Sequence, residues 1–81
     1  MFDLTICYTK PMLSKDAIRL YTISGILEGN DCLTVVMAEA VCDEAEKVIA
    51  VLNMGGLCCG TSAAHKEGEL IITATRENIK G

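Results

Sequence analysis

The run from Phe2 to Leu20, FDLTICYTKPMLSKDAIRL, constrains this chain more than any other stretch. Its first residues alternate. Phe2, Leu4 and Ile6 fall on one side, and Asp3, Thr5 and Cys7 on the other. A period of two predicts a strand over residues 2–8 and turns Cys7 away from the main core. Pro11, the only proline, then breaks the strand and suits the first position of a helix. From Pro11 to about Ser24 the pattern becomes helical. Leu13, Ala17, Leu20, Tyr21 and Ser24 recur at spacings of three and four, Ile18 and Ile23 broaden the stripe, and Ser14, Asp16 and Arg19 take the wet side. A strand that delivers a thiol to a helix start is one way to make a cysteine reactive. The helix N-terminus carries roughly half a unit of positive charge and stabilises a thiolate. Cys7 is therefore the first candidate for chemistry, with Lys10 and Lys15 as the nearest cations.

The remaining segments build one small domain over residues 1–81. Ser24-Gly25 is the expected helix stop, and Gly29-Asn30-Asp31 a turn. Cys32 to Val41 is almost wholly apolar, and β-branched residues at 34–36 favour a strand that is central in the sheet or covered on both faces. Asp43 starts a second helix, with Glu46 completing an imperfect capping box. Ala45, Val48, Ile49 and Leu52 form its buried stripe, and Gly55-Gly56 ends it. Leu57 to Ala64 reads as a weaker strand. Lys66-Glu67-Gly68-Glu69 reads as a hairpin turn, and Leu70 to Thr75 as a strong strand. Arg76 to Gly81 is a polar tail. The order is β-α-β-α-β-β. It predicts an α/β fold: a two-layer sandwich with both helices on one face of a four-stranded mixed sheet.

Composition excludes several classes of function. With seven basic and eleven acidic residues the net charge is −4, and clustered positive charge for nucleic acid is missing. No apolar run reaches the ~18 residues of a spanning helix, and no signal-peptide pattern opens the chain, so no membrane association and a cytoplasmic location are expected. The five cysteines are odd in number and sit mostly in apolar runs, which argues against a disulfide framework. There is no C-x-x-C and one histidine, so neither a metal nor a cofactor is expected. Cys32 and Cys42 read as core. Alternation points one of Cys58 and Cys59 inward and the other outward. His65 reads as solvent-exposed, and Asp43, Glu44 and Glu46 as helix-start charges.

In the same residues the chain resembles the TusA-like, or SirA-like, family of small sulfur carriers. The matching stretches are Asp3-Leu4-Thr5-Ile6-Cys7-Tyr8-Thr9-Lys10-Pro11-Met12-Leu13 with Lys15-Asp16-Ala17-Ile18, then Glu28-Gly29-Asn30-Asp31-Cys32-Leu33-Thr34-Val35, then Lys66-Glu67-Gly68-Glu69-Leu70-Ile71-Ile72. The family's Cys-Pro-x-Pro is altered. With Pro11 as its second proline, the cysteine position falls on Tyr8 and the first proline on Thr9, leaving Cys7 one residue early. The resemblance implies a persulfide on Cys7, accepted from a protein donor of the desulfurase or rhodanese type and passed to an acceptor protein. The chain would then be a substrate in a relay rather than a self-sufficient enzyme. The alternative is a non-catalytic interaction or regulatory module of the same fold, in which Cys7 is structural. A third reading, a phosphocarrier-like fold without its histidine, would need one more strand and one more helix than the chain holds. Nothing in the sequence specifies an oligomeric state.

Overall fold

The computed structural model describes residues 3–63 and 68–76. The element order is β1 (Asp3–Tyr8), α1 (Ser14–Ile26), β2 (Cys32–Met37), a 3₁₀ segment (Glu39–Glu44), α2 (Ala45–Met54), β3 (Cys58–Ala63) and β4 (Leu70–Thr75). The strands form one mixed sheet in the order β1-β2-β4-β3. β1 runs parallel to β2, whereas β4 is antiparallel to both β2 and β3. The two helices cover one face, so the two-layer α/β sandwich expected from the element order is the observed fold.

Alternation along each strand separates the faces. Leu33, Val35 and Met37 of β2 and Ile72 and Ala74 of β4 point into the core. They meet Leu20 and Leu27 from the first helical arm, and Val48 and Leu52 from α2. Among the described residues the opposite face is covered by neither helix. The register sets Thr5, Thr34, Thr73 and Gly60 in one row across it, with Cys7, Val36, Ile71 and Ser62 in another. Of the two expectations for β2, the central position is the one observed: its other face is not covered by the helices, and Cys32, Thr34 and Val36 remain half-buried there. Its strand also ends at Met37. Ala38 then donates to the Tyr8 carbonyl at 3.0 Å, and the 3₁₀ segment intervenes before α2.

The helices depart from expectation mainly at their ends. α1 begins at Ser14, not Pro11, with Leu13 as N-cap. Leucine has no acceptor, so this end is tied by the Leu13 N–H, which donates to Asp16 Oδ2 at 2.8 Å. Gly25 lies inside α1, whose C-cap is Leu27. The buried stripe of α1 is narrower than the sequence pattern suggests: Leu20 and Ser24 are buried, while Leu13, Ile18 and Tyr21 are more than half exposed. At α2 the Asp43–Glu46 box does not form, because the 3₁₀ segment occupies Asp43 and the N-cap is Glu44. The glycine stop does form. Leu57 N–H donates to Leu52 O and Gly56 N–H to Asn53 O, both at 3.0 Å, the Schellman pattern. Gly56 holds the required left-handed conformation, with φ +94°. Of the hairpin between β3 and β4, Ala64, His65, Lys66 and Glu67 lie outside the described residues, while Gly68 carries the positive φ expected of the turn glycine.

Arg76, expected to open a polar tail, instead joins the two helix ends. Its Nε donates to the Leu27 carbonyl at 2.8 Å, and Nη2 donates to the carbonyls of Ser24 and of Gly55, the latter at 3.3 Å. Neither helix has a basic residue in its last turn. One guanidinium thus satisfies carbonyls at the negative end of both macrodipoles. Beneath it the helices approach so closely that a Cβ on Gly55 would overlap the Ser24 hydroxyl, which donates to the Tyr21 carbonyl at 2.6 Å.

Two outcomes follow for stability. Arg76→Ala should lower the free energy of unfolding by about 2–4 kcal/mol, with Arg76→Lys recovering only part, since an ammonium cannot reproduce the fork. Gly55→Ala should cost about 1–3 kcal/mol through overpacking. In the Gly55→Ala/Ser24→Gly pair the loss should fall short of the sum of the singles, as urea denaturation would show.

Candidate functional site

The strand–helix junction starts where β1 leaves the sheet. β1 is an edge strand, paired only with β2 among the described strands. Cys7 occupies its penultimate position, opposite Val36, with its side chain exposed on the open face. The parity argument thus places Cys7 correctly. The helix-start argument does not carry over: α1 begins at Ser14, beyond the loop of residues 9–13, and Cys7 points to the face away from the helices. Lys10 and Lys15 are both exposed.

Tyr8, the neighbour of Cys7, points the other way and packs against the core. Burial raises its phenol above the ordinary value, Asp16 adds to the rise, and Arg19 opposes it. The loop between Tyr8 and α1 is pinned from the second helical arm. Met12 N–H donates to Glu44 Oε1 at 2.8 Å, and Glu44 Oε2 takes an ion pair from Lys47 Nζ at 2.8 Å. Glu44 was legible only as a helix-start charge. Its partner lies 32 residues away, and no spacing rule reaches that far. The Lys47 hydrogen bond, then the Met12 N–H, hold the Glu44 carboxyl below the usual glutamate range.

The other thiols fall into two environments. Cys58 is exposed on the open face, and Cys59, half-buried, packs toward the core, as alternation requires. Burial, then the neighbouring Cys58, push the Cys59 thiol up. Cys42 is half-buried beside the core, its Sγ 3.0 Å from the Gly68 carbonyl. Cys32 is half-buried but belongs to the open face, so the expectation of a core position is corrected for it. Among the described residues no three His, Cys, Asp or Glu side chains converge as a metal set.

The helix layer carries a second feature that the sequence pattern concealed. Ala17, Ile18 and Tyr21 of α1 and Val51 and Met54 of α2 line a shallow apolar groove of about 230 Å³. Ile18 and Met54 are 66% and 74% exposed, so Ile18, which the sequence pattern puts on the packing stripe, stands with Met54 on the lip of a surface feature. Among the described residues no helix is long and apolar enough to cross a membrane. Comparison with protein-family models, curated proteins and solved structures returns no match for this chain.

Alkylation should separate the thiols. Iodoacetamide should modify Cys7 and Cys58 before Cys32, Cys42 and Cys59, with Cys59 slowed further by its raised thiol. Glu44 sets an acid-side dependence. Its depressed carboxyl contributes stability that is present above the unfolded glutamate range and lost as pH falls through the folded value. Glu44→Gln should flatten that limb of a stability–pH curve relative to wild type.

Proposed function

We propose that this domain is a small sulfur-relay protein whose transferring thiol is Cys7. The observation that supports this reading best is the exposure of Cys7 at the end of an edge strand, just before the pinned junction loop. A cysteine kept for packing would face the helices, as its neighbours Ile6 and Tyr8 do. The two-layer fold is the one the sequence resemblance implies.

In the relay the Cys7 thiolate attacks the outer sulfur of a donor protein persulfide. A new S–S bond forms at Cys7, the donor S–S bond breaks, and the donor leaves as its thiolate. An acceptor nucleophile then attacks the outer sulfur now on Cys7, which departs as thiolate. No net oxidant is consumed. The chain needs only an accessible thiol and surfaces that admit two partners in turn. Location in the cytoplasm, where thiols stay reduced, belongs to the same proposal.

A second reading is favoured by a specific observation. The apolar groove between α1 and α2 lies on the face opposite Cys7 and needs no thiol. In this reading the domain is a non-catalytic interaction module.

Intact mass after incubation with a cysteine desulfurase and cysteine separates the two. The relay predicts a gain of one sulfur that Cys7→Ser abolishes. A gain that survives Cys7→Ser moves the site to another cysteine, and no gain with several donors favours the module.

A further inference from the structure

We infer that the outer edge of β3 pairs antiparallel with β3 of a second copy of this chain, joining two four-stranded sheets into one of eight. β3 closes one side of the sheet and is bonded to β4. Among the described residues no strand lies on its other side, so backbone groups of Cys59–Ala63 present a template for a further strand.

Such edges are ordinarily blunted by charge, proline or a bulge. β3 has none of these. From Gly55 to Ala64 the chain carries no charged residue and no proline. Its register with β4 runs without a bulge from Cys58 opposite Thr75 to Ala63 opposite Leu70. The other edge carries a charge within the strand itself, since Asp3 opens β1.

Charge and shape select the occupant. The chain is acidic, so copies repel one another in general, but β3 supplies no local source of that repulsion. A two-fold axis brings the same edge from both copies together, and an uncharged, small-residue strand is self-complementary under that operation. Gly60 has open space where a side chain would stand, and Thr61 and Ser62 are exposed. Hydroxyl side chains facing each other across strands are a favourable pairing. Six residues of pairing bury less than the ~1,000 Å² of a permanent interface, so the dimer is weak and concentration-dependent. The open face with Cys7 stays uncovered, which makes the inference independent of the relay.

Sedimentation velocity on the full chain, in reducing buffer so that no disulfide contributes, tests it. Wild type should move from monomer toward dimer as concentration rises. Thr61→Lys/Ser62→Lys should weaken the dimer at least about tenfold by setting like charges opposite each other, and Thr5→Lys on β1 should leave it unchanged. Amide exchange gives a reading without substitutions: β3 amides should slow with concentration and β1 amides should not. A wild type that stays monomeric throughout overturns the inference, as does a dimer lost through Thr5→Lys or protected at β1.

Discussion

The contact between Ser24 and Gly55, closed over by Arg76, sets the arrangement of everything else. α1 and α2 end side by side, and their last carbonyls would oppose one another without a cation between them. Arg76 supplies that cation from the end of β4, so the most central antiparallel strand holds both helix ends. The close approach is possible only because residue 55 has no side chain. A chain this short has little burial to spare, which gives one multiply bonded guanidinium unusual weight.

Fixing both helices on one side leaves the other side of the sheet open among the described residues. Thr5, Thr34 and Thr73 line its middle, and Cys7 and Cys58 stand exposed on it. Cys7 and the helix groove thus lie on opposite sides of the molecule. Glu44 links the two layers differently: it reaches from the start of α2 to the loop that follows Cys7, and so ties the junction to the helix layer without burying the thiol. This gives an exposed cysteine a fixed neighbourhood.

While β2 was legible from its apolar, β-branched run, period-two alternation was enough to read β1, because one face of the sheet is packed and the other wet. It also placed Cys7 outward and divided Cys58 from Cys59. The Schellman stop at Gly55-Gly56 was legible for a local reason, since a left-handed residue there favours glycine. Helix faces were harder. Ile18 and Tyr21 fit an apolar stripe, yet α1 is fully buried only at Leu20 and Ser24, with Ile23 packed partly against the core, so Leu13, Ile18 and Tyr21 stand exposed. The 3₁₀ segment was hidden because Ala38, Ala40 and Val41 extend the apolar run of the strand before them, with Glu39 as the sole interruption. Arg76 and Glu44 act over sequence separations of up to 52 and 32 residues, which no local pattern encodes. A faint signal for Arg76 did exist in two helices without a basic residue in their last turns.

The most direct measurement of the central claim is to locate a transferred sulfur on a peptide. The chain would be exposed to inorganic polysulfide, trapped with iodoacetamide, digested with trypsin and analysed by tandem mass spectrometry. Because Lys10 precedes Pro11, the first peptide runs from Met1 to Lys15 and contains Cys7 as its sole cysteine. Cys32 and Cys42 fall together on residues 20–47, and Cys58 and Cys59 on residues 48–66. The relay through Cys7 predicts the extra sulfur chiefly on the first peptide. An unmodified first peptide, with sulfur on the last or on none, would contradict it.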